Sequence, residues 1–292
     1  MKWNTHITQI TKTKYPLIMG AFAGLGKTDL AAAFSNAGGL GIITALNYTL
    51  EEFKSELKRM QQLTNKPFGI NLTVIPQADN LVSSQLTQED YLKYVEAALD
   101  FTNIFTTSAY QANFIGKRVK EAGCYWFHKC VLMRHAISVE KEGVDAITLM
   151  GMESSGFKNP YQQTTLVNLT MAKRLLRVPI IAAGGIGDAR GFLGALTMGA
   201  EAVCLGTAIL TTKESPLQEE VKRRWLQTDI FSKDYHHQLY HFKLQSTHVP
   251  SAAVAFQKDI LPVKDLIENI MNEAENILKS MGFTAEEFKT PS

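Results

Sequence analysis

The sequence predicts an α/β fold, a (β/α)8 barrel with a C-terminal helical lid or small lobe. Three observations predict it. Eight short apolar runs alternate with helical stretches between about residues 15 and 210. Several of those helical stretches stop at glycine. Most runs are apolar throughout instead of alternating, as in parallel strands covered on both faces. An open doubly wound sheet is the competitor, because periodicity does not see closure.

The strand-like runs are Tyr15–Met19, Leu40–Ile43, Phe68–Leu72, Asn103–Thr106, Tyr125–Phe127, Ala146–Leu149, Val178–Ala183 and Ala202–Leu205. Gly38, Gly123, Gly143 and Gly199 each follow a helical stretch, where a left-handed cap is expected. Helix starts are marked by Thr49-Leu50-Glu51-Glu52, which fits a capping box, and by Thr28 and Thr87 as N-caps. Residues 1–210 are thus assigned to the barrel and 211–292 to a helical segment packing over its mouth. In that segment Lys213–Gln227 and Val263–Met281 look helical. Between them lies a polar stretch with His236, His237, His241 and His248, read as surface histidines without ligand partners at metal spacing. Thr284–Ser292 is expected to fray.

The chain has 292 residues, 45% hydrophobic and 20% charged, which excludes a disordered chain, a coiled coil and a collagen-like repeat. A net charge of +2 gives no basic field for nucleic acid. The sharpest basic cluster, Lys222-Arg223-Arg224, reads as a solvated helix face. Cys124, Cys130 and Cys204 are too few and too apolar in setting for a disulfide frame, and read as reduced thiols of a cytoplasmic protein. Met1–Lys14 lacks the apolar core of a signal peptide, and no apolar run approaches the roughly 20 residues that span a membrane.

In a parallel barrel, ligands meet the carboxyl ends of the strands. Two consecutive loops there carry glycine: Ala183-Gly184-Gly185-Ile186-Gly187-Asp188 after strand seven and Leu205-Gly206-Thr207 after strand eight. Glycine lets backbone N–H groups approach an anion, so both loops read as a phosphate site. Gly20 to Thr28 is a near miss to the nucleotide P-loop, with Ala21 at the first glycine, and reads instead as a tight loop against a flat ligand. Asn71, at the end of strand three, is either a hydrogen-bond partner for a heterocycle or a satisfied turn residue. Lys129, among apolar residues at the end of strand five, is costly to bury unpaired, so it either escapes to solvent or, as expected at the mouth of a phosphate-binding barrel, meets a negative group.

The stretches Leu30–Gly41, Pro67–Pro76, Phe127–Ala136, Gly143–Gly156 and Pro179–Thr207 resemble the flavin-dependent nitronate monooxygenase family, formerly 2-nitropropane dioxygenases. Enoyl-acyl-carrier-protein reductase II and an NADH:quinone reductase branch belong to the same superfamily. The resemblance implies a TIM barrel holding FMN without a covalent link. It implies the FMN phosphate on Gly184, Gly185, Gly206 and Thr207, with Ala183 also among the cofactor-binding residues. The isoalloxazine would lie against Gly20, Ala21 and Phe22, with Asn71 and Lys129 near its pyrimidine edge. Gly156 would line the flavin, and Ser155 and Phe157 the substrate pocket. Two positions depart from the family. Its usual Pro-Met in the first loop is Ala21-Phe22, and its catalytic histidine after strand six is Phe157.

The resemblance therefore implies an oxidoreductase that oxidises alkyl nitronates with O2. The alternatives are an NAD(P)H-dependent quinone or enoyl-thioester reductase, and a flavin-binding protein without catalysis. The expected partners are a small-molecule substrate and O2 or NAD(P)H, with neither nucleic acid nor membrane, and a homodimer is compatible. No metal is expected.

Overall fold

Each of the eight apolar runs forms one parallel strand of a single sheet in the computed structural model, which describes residues 1–74, 86–240, 245–246 and 249–290. His241 and His248 lie outside the described residues. The strands are β1 Leu17–Met19, β2 Gly41–Thr44, β3 Phe68–Val74, β4 Ile104–Ala109, β5 Tyr125–Cys130, β6 Ala146–Met150, β7 Ile180–Ala183 and β8 Ala202–Leu205. Neighbours follow chain order, and β8 returns to pair with β1. A parallel bridge between Ile18 and Leu40 joins β1 to the start of β2, with Met19 N–H donating to the Leu40 carbonyl at 2.9 Å. The sheet is therefore a barrel, not the open competitor. Branched residues such as Ile42, Ile43, Ile70, Ile147, Ile181 and Val203 are buried along it, as strands covered on both faces require.

The local signals mostly hold. Thr49 and Glu52 exchange the reciprocal bonds of a capping box, as do Thr87 and Asp90. Gly38, Gly123, Gly143 and Gly199 all take positive φ, from 73° to 101°. Thr28 is a correction. It is the first residue of the helix Thr28–Asn36, not its cap. Its N–H and hydroxyl meet the Tyr48 hydroxyl at 3.1 and 3.2 Å, so a tertiary partner replaces the local one. Lys222 is a second correction. It is buried, its ammonium bonded to the carbonyls of Lys213 and Ser215, while Arg223 pairs with Glu219 on the open face.

Beyond β8 the chain does two things. The helix Val263–Ser280 buries Val263, Leu266, Ile267, Ile270, Met271 and Ala274, a spacing of three and four that makes one apolar stripe. That stripe packs on the barrel's side against the helices Ala189–Thr197 and Thr28–Asn36. The stretch Ser251–Gln257, by contrast, meets the barrel mouth. The fraying expected of Thr284–Ser292 is overturned through Thr290. Glu287–Lys289 pairs in parallel with Lys2–Asn4. Trp3 packs on Phe288 and Phe192 at ring separations of 5.0 and 5.2 Å. Glu201 binds the His6 N–H and the Thr290 hydroxyl.

Candidate active site

The register of the sheet sets a polar row across the barrel interior. Thr73 of β3 lies beside Ser108 of β4, Ser108 beside Lys129 of β5, and Lys129 beside Thr148 of β6. Because side chains alternate along a strand, residues in register share a face. Ser108, Lys129 and Thr148 line one cavity with Ala21, Asn71 and Cys204. Asn71 is not a strand end: β3 runs on to Val74, held by continued pairing with β4. Its Nδ2 donates to Thr106 Oγ1 at 2.9 Å and its Oδ1 accepts from Thr73 Oγ1 at 2.9 Å. The second lone pair of Oδ1 is what this amide can still offer a ligand.

Lys129 is half-buried, and no hydrogen bond or ion pair engages its ammonium among the described residues. Burial pushes its pKa below the ordinary lysine value, with the Cys204 thiol acting the other way. An amine held in this way is unfavourable without an anion beside it.

His128 sits behind Lys129, buried, its Nδ1 2.6 Å from Thr107 Oγ1, which also accepts from Trp126 Nε1 at 2.7 Å. Burial, then Lys129, then His135 bring its pKa down to about 4. The ring is therefore neutral at pH 7. The native state resists a proton that the unfolded chain takes up near the ordinary value of 6.5. Stability is full above pH 6.5, falls as pH drops, and levels off below about 4, for a loss of about 3 kcal/mol. Urea midpoints at pH 7.5 and pH 4.5 should diverge more in wild type than in His128→Gln. The same acid loss in both would assign it elsewhere.

The two glycine loops follow the paired strands β7 and β8. Gly184 and Gly185 take φ of 112° and 71°. A Cβ added to Gly206 would touch nothing within 4 Å, so that backbone faces open space. Thr207 begins the short helix Thr207–Leu210. The helix after β7 offers less, since Asp188 already caps it through the Gly191 N–H at 2.8 Å. The loop after β6 is tied to the loop after β7 through a carboxylate and Thr165. Glu153 accepts from the Thr165 N–H at 2.9 Å, and the Thr165 hydroxyl lies 3.0 Å from the Gly184 carbonyl oxygen. Ser155 Oγ lies 3.4 Å from Thr207 Oγ1. Gly156 and Phe157 pair with Ser246 and Gln245 of the tail.

The first loop is not a P-loop. Lys27 donates to the Asn47 carbonyl at 2.9 Å and sits 4.1 Å from the centre of the Tyr48 ring. Gly20 N–H bonds the Leu205 carbonyl, Phe22 N–H bonds Thr44 Oγ1, and Ala21 lines the cavity between them. The three cysteines are free, and no metal-binding cluster occurs among the described residues. No helix among the described residues is long and apolar enough to cross a membrane.

A family model described as "Nitronate monooxygenase" matches residues 4–233. The chain belongs to the nitronate monooxygenase family. A Staphylococcus aureus relative named "Probable nitronate monooxygenase" is 32% identical over 74% of this chain and 71% of its own length. A Mycobacterium tuberculosis relative, named as a 5-hydroxy-7a-methyl-1-oxo-octahydro-1H-indene-4-carboxyl-CoA dehydrogenase, is 31% identical over 79% of this chain and 62% of its own. The structure of FabK from Thermotoga maritima superposes with a TM-score of 0.79 at 26% identity, over 96% of this chain and 99% of that one. Nitroalkane oxidase from Streptomyces ansochromogenes shares the fold, with a TM-score of 0.76 at 22% identity over 94% and 99% of the two chains.

In this member of a family of flavin-dependent oxidoreductases, Ala21, Asn71 and Lys129 line one cavity, whereas Ser155, Gly184, Gly185, Gly206 and Thr207 lie in the loops that follow β6, β7 and β8. Sequence reasoning missed Lys158. Its ammonium donates to the Met152 carbonyl and lies 5.5 Å from the centre of the Tyr240 ring. Burial, opposed by Glu153, brings its pKa down to about 8. His236 and His237 are exposed on the helix Lys233–Tyr240.

Proposed function

We propose that the protein is an FMN-dependent oxidoreductase of the nitronate monooxygenase type, acting on alkyl nitronates with O2. The observation that carries this reading is the Lys129 ammonium, inside the barrel without an anionic partner among the described residues. A cation in that position favours a ligand that holds or gains negative charge, as a nitronate and a reduced isoalloxazine both do. The open space at Gly206 beside Thr207 suits a phosphate, and the Gly184-Gly185 turn suits its close approach. Bound FMN would supply the electron acceptor for the nitronate, with O2 as the final oxidant.

The chain's own residues then have separate tasks. Gly184, Gly185, Gly206 and Thr207 would hold the phosphate, next to Ala183. The Gly20-Ala21-Phe22 backbone and Gly156 would flank the ring. Asn71 would offer its carbonyl oxygen to the pyrimidine edge, and Lys129 would balance charge there. Ser155 and Phe157 would border the substrate. A nitronate arrives already deprotonated, so no side chain has to remove a proton from it. The three free thiols are compatible with a reducing, cytoplasmic setting.

An absorbance spectrum of the purified protein, then anaerobic titration with a nitronate and with NADH, tests this reading. Flavin bleaching by the nitronate is expected. The likeness to FabK, an enoyl-acyl-carrier-protein reductase II, favours a second reading, an NAD(P)H-dependent reductase of a quinone or enoyl thioester. Rapid bleaching by NADH alone would support it. A bound flavin that neither donor reduces would support a carrier.

Gly185→Val tests the phosphate cradle. A Cβ there would lie 3.0 Å from Glu153 Cβ, and its φ of 71° strains a side chain by about 1–2 kcal/mol. FMN occupancy should fall. Extraction of FMN at wild-type stoichiometry would overturn the assignment.

A further inference from the structure

The tail reaches the glycine loops through Ser251–Gln257. Gln257 accepts from Thr211 Oγ1 at 2.6 Å and donates to the Ala208 carbonyl at 2.9 Å, so one end of the stretch lies along the short helix after β8. Its middle lies on the loop after β7, where a Cβ on Gly187 would meet the Ala253 carbonyl oxygen at 2.8 Å. At its head, Ser251 donates its backbone N–H to Thr207 Oγ1 at 3.0 Å.

Ser251 is 4% exposed. It occupies the cap position of the 3-10 helix Ala252–Phe256, with φ −68° and ψ 162°. A serine there ordinarily turns its hydroxyl back onto the helix N–H groups. This one makes no such bond, and its hydroxyl has no partner among the described residues. Although the residue is buried, this hydroxyl is not sealed off, so it can donate to a partner from outside the polypeptide. The nearest feature built for one is the open backbone of Gly206 and the Thr207 hydroxyl, which Ser155 also approaches.

We propose that Ser251 is a phosphate ligand supplied by the tail, completing with Gly206 and Thr207 the cradle for a phosphomonoester. This rests on the FMN reading above. A phosphate dianion accepts hydrogen bonds only, and a serine hydroxyl freed from capping is a donor matched to it. The tail therefore does more than cover the mouth: it recognises the part of the cofactor that distinguishes FMN from riboflavin.

The test is titration of flavin-stripped protein with FMN and with riboflavin, followed by flavin fluorescence, for wild type and Ser251→Ala. Loss of one charge-assisted bond should weaken FMN binding about tenfold to hundredfold. Riboflavin affinity should change less than about twofold, since it lacks the phosphate that the bond would serve. Equal FMN affinity in the two proteins would overturn the proposal. So would an equal loss for both flavins, which would mark Ser251 as a packing residue. Failure of wild type to bind either flavin would instead overturn the FMN reading on which the proposal rests.

Discussion

A preformed alkyl nitronate is expected to be oxidised with a kcat/KM about 10²- to 10⁴-fold above that of its parent nitroalkane. The range is the usual contribution of general acid–base catalysis, and the residue type at position 157 removes it. Phenylalanine has no proton to give and no lone pair to take one. A neutral nitroalkane has to lose its α-proton before its electrons are available, whereas the nitronate has already lost it. Phe157→His should narrow the gap by raising activity on the neutral substrate while leaving the nitronate little changed. Measuring kcat/KM for both forms, in both proteins, decides the matter. Efficient wild-type turnover of the nitroalkane would defeat the no-base reading. A rate rising toward pH 8 in that case would direct attention to Lys158, whose pKa lies near there.

The second large effect concerns the reduction potential of the bound flavin. Lys129→Met keeps most of the side chain's length and removes its charge. One unit charge about 4 Å from the ring is worth roughly 1–4 kcal/mol across the range of effective dielectric found near protein sites. The variant should therefore have a lower midpoint potential, since the reduced, anionic ring loses its counter-charge. The same substitution also relieves a buried amine, so the variant should be no less stable than wild type. An unchanged midpoint in Lys129→Met would show that the ammonium does not serve the flavin.

The features legible in the sequence were those set by neighbours in the chain. Eight strands could be read because each is a short apolar run between a helix end and a loop, and parallel strands covered on both faces need no alternation. Thr49 and Thr87 were readable as caps because the whole capping box lies within four residues. Thr28 was misread because its partner, Tyr48, comes from the next loop. Asn71 reads as a strand end because a polar amide interrupts an otherwise apolar run, yet the strand continues to Val74. The register shows Thr73 facing Ser108 inside the barrel, where hydroxyls pair across strands. Ser251 carries no motif at all. Its place beside Thr207, 44 residues earlier, is set by the fold.

The two pairings that join distant parts of the chain also set how late in synthesis the fold can close. Leu17–Met19 is made before the other seven barrel strands, yet its partner Val203–Leu205 emerges almost two hundred residues later. Lys2–Asn4 waits longer still, for Glu287–Lys289. A growing chain thus carries an open strand edge until the eighth strand has left the ribosome, and such edges are templates for aggregation. Gly206, Thr207 and Ser251 all lie beyond that point. A ligand seated among them would find its site finished only once Ser251 has emerged, after the barrel strands are all available to close.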